Sequence, residues 1–157
     1  MSRKIFDRDK LISVVTNWKD QGLEVVFTNG CFDLLHPGHI QYLIEARQLG
    51  SRLVVGMNSD SSVKRLKGDN RPIIHQQGRL LALAALEAVD AVVLFEEDTP
   101  AKLIASILPD VLVKGSDYEK SNIVGADIVE SHGGKVELIN LVPGYSTTEI
   151  IKKIKTK

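Results

Sequence analysis

A single cysteine, Cys31, in 157 residues excludes an intramolecular disulfide and leaves no CxxC spacing for a metal. Charge of one sign is lacking too. Twenty basic residues cancel twenty acidic ones, so no global field points to nucleic acid or to an anionic membrane. Any phosphate recognition must therefore be local. The longest apolar stretch, Leu80 to Phe95, is broken by Glu87 and Asp90 and falls short of the roughly 20 residues that cross a bilayer. The opening Met-Ser-Arg-Lys-Ile-Phe-Asp carries no apolar signal-peptide core. Two phosphate-binding motifs are also missing. There is no GxGxxG after the first strand and no GxxxxGK[ST] anywhere, which removes support for a dinucleotide-dependent dehydrogenase or a P-loop kinase. These absences predict one domain over 1–157, cytoplasmic, with no membrane and no nucleic-acid partner.

Apolar runs and turn signals alternate along the chain. Residues 8–21 read as a helix with Leu11, Val15 and Trp18 on one stripe, Asp7 as its cap and Gly22 at its end. Glu24 to Thr28 reads as a strand, followed by a helix that Pro37 opens and whose apolar face is Ile40, Leu43 and Ile44. Arg52–Met57, Ala91–Phe95, Val111–Val113 and Lys135–Ile139 are four further strands. Helices are expected over Gln76–Ala88, after Thr99-Pro100, around Ile123–Ser131 and from about Ser146. The polar stretch Ser59–Gln77 reads as a long loop. Such alternation predicts an α/β protein, a Rossmann-like three-layer α/β/α fold with a five-stranded parallel sheet in the order 3-2-1-4-5.

In an open parallel sheet, ligands bind beyond the carboxyl ends of the strands. Four polar clusters fall there. The first is Thr28 to His39, which includes Asn29, Gly30, Cys31, Phe32, Asp33, His36, Gly38 and His39. The second is Asn58-Ser59-Asp60 with the basic Lys64, Lys67 and Arg71. The third is Lys114-Gly115-Ser116-Asp117-Tyr118, and the fourth Gly144-Tyr145-Ser146-Thr147-Thr148. In His36-Pro37-Gly38-His39 the proline sets a helix start and Gly38 permits close approach of a ligand. The two imidazoles, three residues apart, project to the same side beside free N–H groups and the positive end of the helix dipole. A capping histidine plus a surface histidine is the plainer alternative. A metal centre is not expected, because no further Cys/His/carboxylate set is at hand. Cys31 reads more readily as a small buried filler than as a reactive thiol, and His75 and His132 as loop residues.

Thr28 to His39 resembles the HxGH signature of the nucleotidyltransferase class that includes cytidylyltransferases and pantetheine-phosphate adenylyltransferase. Ser146-Thr147-Thr148 resembles its second signature. Within that class, Val25 to Ile154 resembles the adenylyltransferase half of the bifunctional heptose kinase/adenylyltransferase. The runs that carry the likeness are Lys64–Asp69, Ala85–Asp90, Phe95–Pro100 and Leu108–Gly115. Cytidylyltransferases of the glycerol-phosphate type have an arginine shortly before Ser-Thr-Thr, where this chain has Leu141. A free-standing version of the adenylyltransferase half is expected, since no sugar-kinase segment precedes it.

The resemblance implies transfer of AMP from ATP to a sugar 1-phosphate, D-glycero-β-D-manno-heptose 1-phosphate, in ADP-heptose and lipopolysaccharide core synthesis. The alternatives are a glycerol-phosphate-type cytidylyltransferase, another HxGH-class adenylyltransferase, or a nucleotide-binding sensor. His36, His39, Lys64, Lys67 and Thr147 would be catalytic. Asn29, Gly30, Cys31, Phe32, Gly38, His39, Lys114, Gly115, Asp117, Tyr118, Ser146, Thr147 and Thr148 would bind nucleotide, and Asp33, Asp60 and Arg79 the acceptor. Turn-forming roles carry similar weight for Asp33, Asp60 and Asp117, and a surface ion pair is the alternative for Arg79. Mg²⁺ would enter mainly through nucleotide phosphates. The surplus of apolar residues at Leu80–Leu86 predicts a homodimer, with a large monomer core as the alternative.

Overall fold

In the computed structural model, which describes residues 2–157, neighbouring residues of each strand feed opposite cores, as the two-residue period of a strand requires. The six strands are β1 (Ile5–Phe6), β2 (Val25–Gly30), β3 (Arg52–Asn58), β4 (Ala91–Phe95), β5 (Val111–Gly115) and β6 (Lys135–Ile139). Val25 and Phe27 of β2 pack with α1 (Arg8–Asp20), α5 (Ala101–Ile107) and α6 (Ala126–Ser131) through Leu11, Val15, Leu103, Ile104, Ile107 and Val129. Val26, between them, packs on the other face with Leu43 and Ala46 of α2 (Pro37–Gln48) and Leu83 and Ala84 of α4 (Gln76–Ala84). The result is three layers, helix–sheet–helix.

All strand pairs are parallel, and the order is β1-β4-β3-β2-β5-β6. The five expected strands hold their expected order. The sixth, β1, is an addition at the β4 edge, where Ile5 and Phe6 pair with Val92 and Val93. Two residues carry no readable periodicity. From β2 the chain steps outward to β3 and β4, then returns over α5 to β5 on the other flank of β2. That reversal opens a crevice beyond the carboxyl ends of β2 and β5.

Three local readings change. Ser59–Gln77 is not one loop, for α3 (Asp60–Lys67) occupies its first half. Ser59 caps α3 by accepting the Ser62 N–H at 3.2 Å, but only Val63 on it is an apolar buried residue, too little for a visible stripe. The Leu-rich helix α4 stops at Ala84 rather than Ala88. On α2 the buried residues are Leu43 and Ala46, while Ile40 and Ile44 are exposed. The remaining helix, α7 (Thr147–Lys155), begins at the Ser146 cap as expected.

Candidate active site

The turn from β2 into α2 is strained in two places. Phe32 and Leu34 hold left-handed backbone conformations, with φ of 49° and 53°. Each costs about 1–2 kcal/mol for a residue with a Cβ. Asp33, between them, holds the turn. Its buried carboxylate accepts the N–H groups of Ile73 and Ile74 at 2.7 and 2.9 Å and Nε of Arg71 at 2.9 Å. Its carbonyl accepts the Thr147 hydroxyl at 2.9 Å. Asp33 thus ties the α2 entrance to the α3–α4 loop and to the head of α7.

His36 caps α2, its Nδ1 accepting the His39 N–H at 3.3 Å. The neutral ring therefore carries its proton on Nε2, free to donate. The rings of His36 and His39 stack with centroids 3.7 Å apart and planes 18° from parallel. Phe32 meets His39 edge-on at 5.5 Å, and Tyr145 lies on the far side of His36 at 6.0 Å. Burial, with the neighbouring His36 next, pushes His39 down to about 4, and burial lowers His36 as well. Both imidazoles are neutral donors at neutral pH. His39 Nδ1 is buried without a partner among the described residues, as is Asn29 Oδ1 at the end of β2. A side chain at Gly38 would crowd this end of the helix, because a Cβ would meet the His36 ring and the Tyr145 Cβ at 3.0 Å. With Pro37 lacking an N–H and the His39 N–H capped, Gly38 is the free backbone donor at the head of α2.

These groups open into a cleft of about 640 Å³, a volume suited to a nucleotide-sized ligand. On the β5 side, the Lys114 ammonium donates to the Asn29 carbonyl at 3.3 Å and lies 5.3 Å from the Tyr118 ring centre. Burial pushes Lys114 down to about 8. Gly115, Asp117 and Tyr118 follow it on the cleft wall. At the head of α7, Ser146 accepts the Glu149 N–H at 3.4 Å, which leaves the N–H groups of Thr147 and Thr148 toward the cleft they line. The Thr147 hydroxyl hydrogen is engaged by Asp33, so its donor to a ligand is the backbone N–H.

The structure gathers Asn29, Gly30, Cys31, Phe32, Asp33, His36, Gly38, His39, Lys67, Lys114, Gly115, Asp117, Tyr118, Ser146, Thr147 and Thr148 around this one cleft. It leaves out three expected site residues: Lys64, Asp60 and Arg79 do not line it. Lys64 lies exposed on α3, a turn before Lys67 at the cleft end. Arg79 is neither a phosphate arm nor half of a surface pair. It is 1% exposed and donates to the carbonyls of Cys31, Asn58 and Ile74 at 2.6, 2.9 and 2.9 Å and to Asp60 Oδ1 at 2.7 Å. It pins the end of β3 and two loops beneath the site, and it consumes Asp60 in doing so. Asp98-Thr99-Pro100 and Tyr42 also line the cleft and were not among the expected residues; Arg71, expected only as part of the second polar cluster, and Leu141 line it too. The carboxyl-end rule, applied to the strand ending at Phe95, finds the first of these.

The family model for cytidylyltransferase-like proteins matches residues 27–153; the chain belongs to that family and is a nucleotidyltransferase. Its sequence is 58% identical over 151 residues to the bifunctional protein HldE of Methylobacillus flagellatus, a match spanning 96% of this chain and 31% of that protein. The HldE protein of Geobacter sulfurreducens is 54% identical over 151 residues, again 96% of this chain and 31% of the relative. The chain therefore spans about a third of the length of these curated relatives. Among solved structures, the lipopolysaccharide core biosynthesis protein of Thermoplasma volcanium aligns with a TM-score of 0.64 and 31% identity, over 77% of this chain and 98% of its own. Pantoate-beta-alanine ligase from Francisella tularensis shares the fold at a TM-score of 0.63 and 16% identity, over 98% and 78%.

Proposed function

We propose that the chain transfers AMP from ATP to D-glycero-β-D-manno-heptose 1-phosphate, giving ADP-heptose and pyrophosphate. The observation that carries the chemistry is the stacked, neutral His36–His39 pair at the head of α2, facing the head of α7 across the cleft. Support for the acceptor comes from the runs resembling heptose adenylyltransferases, the identity to HldE proteins, and the likeness to a lipopolysaccharide core biosynthesis protein.

A phosphate monoester has a second pKa of about 6, so the acceptor is already an anionic nucleophile at neutral pH. No side chain is needed as a general base. An oxygen of the acceptor phosphate attacks the α-phosphorus, the bond to the β-phosphate oxygen breaks, and pyrophosphate leaves with the electron pair. The protein aligns two anions and stabilises charge as it builds. His36 and His39 donate to α-phosphoryl and leaving-group oxygens, joined by the N–H groups of Gly38, Thr147 and Thr148 and by the Lys67 charge. Mg²⁺ supplies further neutralisation when bound. Among the described residues no group of three or more His, Cys, Asp or Glu is placed to hold a metal, so its ligands would be phosphate oxygens and water. ATP places the reaction in the cytoplasm. No helix among the described residues is long and apolar enough to cross a membrane.

Coupled pyrophosphate detection over ATP or CTP with heptose 1-phosphate or glycerol 3-phosphate tests this reading. ATP with heptose 1-phosphate should be the fastest combination, and by about 100-fold or more over ATP with glycerol 3-phosphate, because a site that hydrogen-bonds the hydroxyls of a sugar strongly rejects acceptors that lack them. Chelation of Mg²⁺ should abolish the signal. A preference for CTP or for glycerol phosphate would sink the heptose assignment.

We also propose a homodimer. Of the Leu-rich helix, Leu83 and Ala84 are buried and Leu80 packs on the core, as does Leu86 just beyond its end. The apolar surplus reduces to Leu81, with Ile73 and Ile74 in the preceding loop, 59%, 48% and 40% exposed. Light scattering should give twice the chain mass, falling to one chain mass in Leu81→Lys. A wild-type monomer at micromolar concentration would rule the dimer out.

A further inference from the structure

Arg71 lies in the loop between α3 and α4 and lines the cleft. Its side chain is 15% exposed, and that of its partner Asp33 is 0% exposed. The single hydrogen bond of the guanidinium to the described residues runs from Nε to Asp33 Oδ2, at 2.9 Å. One edge of the planar group is thereby fixed by a carboxylate that is itself locked by the Ile73 and Ile74 N–H groups. The two terminal nitrogens carry four N–H donors with no acceptor among the described residues. A guanidinium held by its Nε edge presents the remaining fork in a set plane, the geometry that matches two oxygens of a phosphate.

Its position separates it from the nucleotide groups. Lys114 lies at the carboxyl end of β5 and Tyr118 follows that strand, on one flank of β2, whereas Lys67 and Arg71 follow β3, on the other. The histidine pair follows β2 itself, between them. A nucleotide laid along the β5 side brings its α-phosphate to the histidines and leaves the β3 side for the second anion.

We propose that Arg71 anchors the phosphate of the acceptor, a sugar 1-phosphate, gripping two of its oxygens while the third is directed at the α-phosphorus. The inference rests on the transferase reading above. Arg71 is then a specificity-determining residue, one that demands a terminal phosphate on the acceptor. It offsets the repulsion that two phosphates meet on approach, and Asp33 is its positioning residue.

Steady-state pyrophosphate release with heptose 1-phosphate and ATP varied separately tests it. In Arg71→Lys, which keeps the charge and loses the fork, the acceptor KM should rise about tenfold while the ATP KM stays within twofold. Arg71→Ala should raise the acceptor KM further, and added guanidinium should restore part of the loss. The ATP KM and the circular dichroism spectrum report that each variant is folded, and the lysine variant serves if the alanine one is not. An unchanged acceptor KM, or an ATP KM rising in step with it, overturns the assignment of Arg71 while wild-type turnover keeps the transferase reading. If the wild-type protein releases no pyrophosphate with heptose 1-phosphate or any other phosphorylated acceptor, that reading falls and this inference with it.

Discussion

Replacing His39 with alanine is expected to lower kcat by a factor of about 10² to 10³, since a donor aimed at developing charge is worth roughly 2.7–4 kcal/mol. The ring is partly buried, stacked on His36 and neutral, so it donates through its single N–H. Its unpartnered Nδ1 shows that the protein itself does not use both ring nitrogens. The variant should fold, because His39 is not the residue that caps α2; His36 is. Turnover at saturating ATP and acceptor, set beside the thermal midpoint of the same preparation, separates chemistry from folding. His39→Gln, which retains an N–H donor on a longer arm, should recover part of the rate. Turnover within a few-fold of wild type in the alanine variant would remove His39 from the chemistry.

The second large effect is on stability. Arg79→Met should destabilise the protein by about 3–5 kcal/mol, the cost of breaking a buried pair from one side. The methionine fills much of the volume, but three carbonyls and the Asp60 carboxylate lose their donor at once. Two of those carbonyls belong to Cys31 and Asn58, which line the cleft, so activity should fall with stability even where the variant remains folded. Urea unfolding, with the denaturant dependence checked for an unchanged slope, measures the first. A loss under about 1 kcal/mol would mean that water replaces the guanidinium and that Arg79 is not the pin described here.

How far the sequence discloses this molecule follows from how local each signal is. β2 to β5 are legible because strands buried on both faces carry continuous apolar runs, as in Val25–Phe27 or Ala91–Val93, and β6 because its short run falls between turn signals. The head of α2 is legible because Pro37 and the His36 cap are turn chemistry, written in adjacent residues. β1 is not, since Ile5 and Phe6 become a strand only by meeting β4, more than eighty residues away. Arg79 shows the limit most clearly. A lone arginine on the first turn of a helix carries no mark of burial, and the three carbonyls that surround it come from two separate loops and the end of β3. Asp33 is similar: its partners Arg71, Ile73 and Ile74 are contiguous with one another but not with it. Nothing in the sequence separates Lys64 from Lys67; the difference comes from α3 ending at Lys67 and bringing only that one of the two lysines to the cleft.

The hydrogen bond from the Thr147 hydroxyl to the Asp33 carbonyl joins residues 114 positions apart. Contacts so distant in the chain form only after a long loop has closed, and synthesis proceeds from the amino end. A nascent chain therefore carries its histidine pair well before the head of α7 has left the ribosome. Half of the phosphate cradle exists without the other half until α7 has been made. Competence is tied in this way to synthesis of α7, and a nascent chain that stops short of it holds the histidine pair without its facing donors.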